Sequence, residues 1–256
     1  MKRIMLLTAY DGTQYHGFQV QPNLRTVEGV LNQTLSELLK EEIIVIGASR
    51  TDTGVHAEGN VAVFDTETKI PPEKIALALN QRLPEDLVIQ KSIEVSINFH
   101  PRHTNCRKTY EYRIYNHVVP NPLLRRDTYF YYRPLDVSAM QEAASFLVGT
   151  KDFSSFCAAG TQVVDKVRTI DCLEVKRKGD LITIQITGNG FLYNMVRIIT
   201  GTLILVGIHT IIPEDMKKII QAEDRKMAGP TAPAKGLVLK KIQYEEAELS
   251  LEKSHL

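Results

Sequence analysis

Two spacings of apolar residues alternate along this chain, and their order limits the folds open to it. Lys2 to Tyr10 reads as a strand. Thr26 stands where a helix N-cap is expected, and Val27, Val30, Leu31, Leu35, Leu38 and Leu39 then recur at intervals of three and four. That spacing predicts a helix with one buried face. Glu42 to Ala48 reads as a strand, and Gly59 to Thr66 alternates as another. Pro71-Pro72 opens a helix running to about Leu83, Pro84 stops it, and Leu87 to Val95 alternates again. The first hundred residues therefore spell β-α-β-β-α-β, the order of a split βαβ or ferredoxin-like unit.

The second half repeats that order with larger loops. Cys106 to Tyr115 reads as a strand, and Asp136 caps a helix whose stripe is Met140, Ala143, Ala144 and Leu147. Ile170 to Lys178 and Leu181 to Gly188 form a hairpin turning at Gly179-Asp180. A helix from about Phe191 carries Met195, Ile198, Ile199, Thr202, Leu203 and Val206, Pro213 begins a short extra helix, and Gly236 to Tyr244 closes as a strand. The expectation is an α+β fold of two ferredoxin-like halves, residues 1–104 and 105–249, joined around a mostly antiparallel sheet, with helices outside and a cleft on the other face. Residues 250–256 read as a frayed polar tail. The halves match in element order and show no residue-level repeat.

A hydrophobic content of 43% and a charged content of 24% are ordinary for a globular protein. The basic start, Met1 to Thr8, reaches Tyr10-Asp11-Gly12 before a signal-peptide apolar region forms, and the longest apolar segment, Ile198 to Ile208, is too short to span a bilayer. A cytoplasmic protein without a membrane partner is expected. Cys106, Cys157 and Cys172 are odd in number and far apart, which argues against a disulfide framework or a zinc site. A buried, reduced thiol is expected at each. The formal net charge of +1 advertises no nucleic acid, so such a partner would need local patches.

Chemistry concentrates in Gly47-Ala48-Ser49-Arg50-Thr51-Asp52-Thr53-Gly54-Val55-His56, a polar loop between two β-branched runs. Its composition suits an ordinary turn, and equally a rigid site that a ligand reaches. Asp52 is ionised at neutral pH unless its surroundings forbid it, and Arg50, two residues away, favours the anion. Such a carboxylate can act as nucleophile or base without a metal, or simply pair with Arg50 to fix the loop. His56 lacks a second ligand at metal-binding spacing.

Tyr110 and Tyr112 share one face of the strand Lys108 to Tyr115, where they either stack on nucleobases or pack in the core. Arg197 falls opposite the apolar stripe of its helix and reaches either a cleft or water. The basic clusters are Arg102, His103, Arg107 and Lys108; Arg125-Arg126; Lys176-Arg177-Lys178; and Arg225-Lys226. Beside a tyrosine-bearing strand they suit a phosphate backbone with stacked bases, with solvated surface charge as the competing reading. No phosphate-binding glycine loop, dinucleotide fingerprint or Gly-x-Ser-x-Gly elbow is present, which favours a cofactor-free reaction.

Together these residues resemble the tRNA pseudouridine synthase A family over nearly the whole chain, from Tyr10 to about Leu239. Arg50-Thr51-Asp52-Thr53-Gly54-Val55-His56 is similar to its Arg-Thr-Asp-x-Gly-Val-His signature, the most specific match. Tyr10-Asp11-Gly12 through Gly17-Phe18-Gln19 resembles its N-terminal motif, with Phe18 where the family often has Trp. Arg25-Thr26-Val27, Lys108-Thr109-Tyr110-Glu111-Tyr112, Met195-Val196-Arg197 and Thr231 to Leu237 follow in the family's order. The resemblance implies a homodimer that converts uridine to pseudouridine in the anticodon stem-loop of tRNA. Asp52 would be the nucleophile, Arg50 and Arg197 its basic partners, and Tyr110 the residue against the target base. Arg25, Arg107 and Lys108 would contact the RNA, with no cofactor or metal. A non-catalytic RNA-binding protein or chaperone, and the same chemistry on ribosomal RNA, are the alternatives.

Overall fold

The computed structural model describes residues 1–160 and 163–244, so the expected tail at 250–256 lies outside the described residues. The chain is mixed α+β with mostly antiparallel strand pairing, and five α-helices lie among the described residues. It divides into two compact units. One comprises Met1–Cys106 and the described residues from Leu239 onward, and the other Arg107–Val238.

The first unit runs β1 (Lys2–Tyr10), α1 (Val27–Leu39), β2 (Ile46–Gly47), β3 (His56–Thr66), α2 (Pro72–Asn80) and β4 (Leu87–Val95). Strand β1 lies between β3 and β4 and is antiparallel to both, with Leu6 opposite Ala62 on one side and Ser92 on the other. Ile4, Met5 and Leu6 are wholly buried, so both faces of this central strand are covered. Thr26 caps α1 as its sequence predicts, its hydroxyl oxygen accepting the Gly29 N–H at 3.2 Å. Helix α2 has no side-chain cap and is instead locked to β4 by polar side chains. The Ala76 N–H donates to Ser92 Oγ at 2.9 Å, Ser92 Oγ donates to the Pro72 carbonyl at 2.6 Å, and Asn80 bonds both backbone groups of Ile89 at 2.8 Å.

The strand expected over Glu42 to Ala48 shrinks to β2, paired with β3 through Ile46 and Gly47. Ile43 and Val45 are buried and Ile44 is exposed, so the alternation is real. The backbone bonds go elsewhere: the Ile43 N–H donates to Ser36 Oγ at 2.9 Å and the Val45 N–H to Asn32 Oδ1 at 2.8 Å, both on α1. A segment whose donors are taken by helix side chains cannot also make a ladder.

The rest of the chain runs β5 (Cys106–Asn116), β6 (Tyr129–Tyr131), α3 (Val137–Ser145), β7 (Gly149–Asp152), β8 (Val167–Lys178), β9 (Leu181–Gly188), α4 (Met195–Gly207), α5 (Asp215–Ala222) and β10 (Leu237–Tyr244). Strands β5, β9, β8 and β7 pair antiparallel in that order. The short β6, not anticipated from sequence, pairs parallel to β5 with Tyr115 opposite Phe130. Strand β7 was also not anticipated. Asp136 caps α3 as expected, Oδ1 accepting the Ala139 N–H at 3.0 Å. Helix α4 begins four residues later than the apolar pattern suggests, because its N-cap Asn194 sits at φ 59°, a left-handed conformation that no helix passes through. Strand β10 leads the chain back into the first unit, where it lies next to β3.

The cysteine expectation needs one correction. No disulfide forms among the described residues, and Cys106 and Cys157 are buried, but Cys172 is exposed. The register of β8 on β9 slips between Ile170 and Cys172, adding Asp171 as an extra residue. A bulge of one residue reverses which face each later side chain takes, so Leu173 and Val175 turn inward and Cys172 turns out. Among the described residues no helix is long and apolar enough to cross a membrane.

Candidate active site

The polar loop after β2 is both a turn and a braced platform. The Ala48 N–H donates to the Val61 carbonyl at 2.7 Å, which ties the start of the loop to β3. Asp52 then opens a four-residue turn closed by the Val55 N–H on the Asp52 carbonyl at 3.1 Å, with Gly54 in its third position at φ 77°. That positive φ is the requirement glycine meets in such a turn. Ser49, Thr51, Val55 and His56 are buried around it, while Asp52 is half-buried and Arg50 exposed.

The segment from Tyr10 to Phe18 holds this loop from the side. The Phe18 N–H donates to the Thr51 carbonyl at 3.0 Å and the Gly54 N–H to the Tyr15 carbonyl at 3.2 Å. The Tyr10 and Thr51 hydroxyls share a hydrogen bond of 2.7 Å. Gly12 presses so closely that a Cβ there would lie 2.1 Å from the Val55 carbonyl oxygen.

Asn60, wholly buried on β3, completes the brace. Its Nδ2 donates to the Tyr10 hydroxyl at 3.1 Å and to the Ser49 carbonyl at 3.0 Å, and its Oδ1 accepts the Val61 N–H. Removing a side chain that satisfies several buried groups leaves them orphaned, at about 1–3 kcal/mol each. Asn60→Ala is expected to lower stability by about 2–4 kcal/mol, read from the urea unfolding midpoint. A loss below about 0.5 kcal/mol would show that water takes over these bonds.

His56 serves this scaffold. Two contacts compete for its Nδ1: the Gly12 N–H at 3.1 Å and Asp11 Oδ1 at 3.2 Å. The Gly12 N–H can only donate, so in that bond Nδ1 is the acceptor, while Asp11 Oδ1 also accepts from the Thr13 N–H at 3.0 Å. Among the described residues no group of three or more His, Cys, Asp or Glu side chains is placed to hold a metal ion.

Two arginines flank the platform. Arg25 makes a forked pair with Asp86, Nη1 to Oδ2 and Nη2 to Oδ1 each at 3.0 Å, and its guanidinium lies 4.4 Å from the centre of the Tyr15 ring. The Tyr15 hydroxyl donates to Asp86 at 2.6 Å. Burial, first, and the Asp86 carboxylate push this phenol well above its ordinary value, so it stays a donor. Arg102 Nε donates to the Gly47 carbonyl at 2.8 Å, at the start of the loop.

The other expected residues lie in the second unit. Tyr110 is 8% exposed and meets Phe191 edge to face at 5.3 Å. Tyr112, on the same face of β5, is a core residue whose hydroxyl donates to the Pro233 carbonyl at 2.7 Å; burial keeps it protonated. Arg197 is half-buried rather than simply solvated. Its Nε donates to the Ala232 carbonyl at 2.7 Å and its Nη1 to Asn194 Oδ1 at 2.6 Å, which ties the start of α4 to the Thr231–Pro233 segment. Arg107 pairs with Asp171, the bulge residue of β8, at 2.8 Å, and Lys108 is half-buried opposite Gly188.

Thus Asp52, Arg50 and Arg25 belong to one unit, and Tyr110, Arg107, Lys108 and Arg197 to the other. Sequence reasoning missed Tyr10, Asn60 and Asp86 as site residues. The available signal was Asn60 itself, an amide heading the apolar run Val61 to Phe64, where a buried polar group requires named partners.

The family profile described as tRNA pseudouridine synthase matches residues 6–103 and 143–245. A tRNA pseudouridine synthase A of Acetivibrio thermocellus is 46% identical over 244 residues, covering 95% of this chain and 100% of the relative. That of Brevibacillus brevis is 48% identical over 244 residues, again with 95% and 100% covered. That of Halalkalibacterium halodurans is 48% identical over 239 residues, covering 93% of this chain and 91% of the relative. With the Arg50-to-His56 signature forming a braced loop, these matches establish that the chain belongs to the tRNA pseudouridine synthase A family and is a pseudouridine synthase, an isomerase.

Proposed function

We propose that this protein converts uridine to pseudouridine in the anticodon stem-loop of tRNA, as a cytoplasmic homodimer, with Asp52 as nucleophile and no cofactor. The observation that carries this reading is the half-buried Asp52 carboxylate on a loop held by backbone and buried side-chain bonds, in a chain of this family. The strand order β4-β1-β3, with β2 on β3, supports a ferredoxin-like first half, and the second half repeats the plan with insertions.

The reaction breaks the N1–C1′ bond, turns the uracil and joins C5 to C1′. C5 loses a proton and N1 gains one, so no atom is exchanged and no net oxidation occurs. A fixed carboxylate suits each route to this outcome, whether it attacks C1′, attacks C6 or takes the 2′ proton. Extruding the base from its stack costs a few kcal/mol. Arg50 holds the opened stem, Arg197 supplies the second cation, and the Tyr110 ring lies against the displaced base. Arg25, Arg107 and Lys108, all half-exposed, contact the RNA backbone.

The test is incubation of the pure protein with an unmodified tRNA transcript and mapping of pseudouridine. Product confined to the anticodon stem-loop supports the proposal; product elsewhere, or none, overturns it. In the same assay Tyr110→Phe is expected to stay within about threefold of the wild-type rate, because stacking uses the ring. A loss as deep as that of an Asp52 variant would assign the work to the hydroxyl.

A further inference from the structure

Arg102 comes from the loop after β4 and Arg50 from the loop after β2, both in the first unit. Arg102 is pinned: Nε donates to the Gly47 carbonyl at 2.8 Å and its backbone N–H to His100 Nδ1 at 3.2 Å. Among the described residues, neither terminal nitrogen of Arg102 nor any side-chain nitrogen of Arg50 has a protein acceptor. Burial, and after it the Arg50 charge, disfavours the Arg102 cation; the Glu28 carboxylate, which accepts the Val20 N–H at 2.8 Å, offsets part of this. Arginine does not lose its proton in response, and the bond to the Gly47 carbonyl fixes the Arg102 cation on the backbone three residues before Arg50. Two exposed, solvated arginines would ordinarily separate. Here one is anchored by the backbone of the Asp52 loop, with a fork of N–H donors left open, which is a preorganised anion site.

We propose that Arg102 and Arg50 form a two-guanidinium clamp that receives one phosphodiester of the RNA beside the Asp52 loop. This rests on Asp52 marking the reaction site. Arg102 is a positioning residue: its anchor is the Gly47 carbonyl, so the bound phosphate and the Asp52 carboxylate share one rigid segment, and the sugar between them is brought into register. Arg50 closes the other side.

The test measures binding of an unmodified anticodon stem-loop RNA by fluorescence anisotropy across a salt series, using full-length protein and checking each variant by thermal unfolding. Arg102→Gln is expected to weaken binding about tenfold and to lower the slope of log Kd against log salt by about 0.7–0.9. Arg102→Lys should restore the slope with only part of the affinity, because a point charge replaces a fork. The Arg50→Gln and Arg102→Gln losses should be less than additive in the double variant. A neutral methylphosphonate walked through the phosphates around the target uridine should reproduce the loss with wild-type protein at one position, and cost Arg102→Gln nothing further there. An unchanged slope in Arg102→Gln, or equal losses in the Gln and Lys variants together with a lower unfolding midpoint, would show that Arg102 only braces the loop. Should Arg102→Gln fail to fold, a methylphosphonate scan of wild type with no position-specific loss overturns the clamp. Binding needs no turnover, so an absence of pseudouridine would refute the proposed reaction without obscuring this result.

Discussion

Asp52→Asn is expected to abolish pseudouridine formation, by at least about 10³-fold, while tRNA binding stays within about threefold of wild type. The two readouts separate because of how the loop is held. The turn at residue 52 is shaped by backbone bonds: the Val55 N–H on the Asp52 carbonyl, flanked by the Phe18 N–H on the Thr51 carbonyl and the Gly54 N–H on the Tyr15 carbonyl. Asparagine has the same shape and keeps that backbone intact, but it offers a neutral amide where the proposed reaction uses an anionic oxygen. Asp52→Ala should match it, since the chemistry lost is the same. Single-turnover assays with saturating enzyme, beside anisotropy with the same transcript, check both halves. Wild-type turnover in either variant would sink the assignment of Asp52, and a collapse of binding in both would make it an RNA-contacting residue instead.

The second large effect comes from a residue without a functional group. Gly12→Ala places a methyl 2.1 Å from the Val55 carbonyl oxygen and 2.5 Å from its carbon, and both atoms are backbone, so no side chain can yield. The Tyr10–Phe18 segment must back away from the Asp52 loop and loosen the Gly12 N–H bond to His56. Overpacking of this kind costs about 1–3 kcal/mol, which lowers the unfolding midpoint by about 2–4 °C per kcal/mol in a chain of this size. A displacement of about 1 Å at Asp52, the proposed nucleophile, is enough for an expected turnover loss of about 10²-fold. Gly179→Ala is the control. Gly179 also has a positive φ, 59°, but a Cβ there meets nothing within 4 Å, so it should cost about 1–2 kcal/mol of stability and no turnover. Equal effects of the two substitutions on turnover would show that the brace does not position Asp52.

Where local pattern and tertiary environment agreed, the sequence alone placed elements closely. Strands β1 and β4 have the expected bounds, Thr26 and Asp136 are the expected caps, and the β8–β9 hairpin turns at Gly179. It failed where a distant group claimed the backbone. Ile43 and Val45 alternate like a strand yet bond to Ser36 and Asn32 of α1, and Cys172 follows an apolar alternation that the Asp171 bulge inverts. Strands β6 and β7, of three and four residues, are too short for a two-residue period to stand out from chance.

The site divides in the same way. Arg50, Asp52, Gly54 and His56 are neighbours in the chain, so their loop, its turn and the carboxylate it carries were determined by sequence alone. What only the tertiary structure decided is what holds that loop still. Tyr10 reaches Thr51 and Asn60 reaches back to both Tyr10 and Ser49 across separations of 41, 50 and 11 residues. Arg25 pairs with Asp86, and His56 accepts the Gly12 N–H. None of these bonds leaves a periodic trace, because a hydrogen bond between distant residues depends on where the fold brings two atoms, whereas a turn or a helix face depends on the residues beside it.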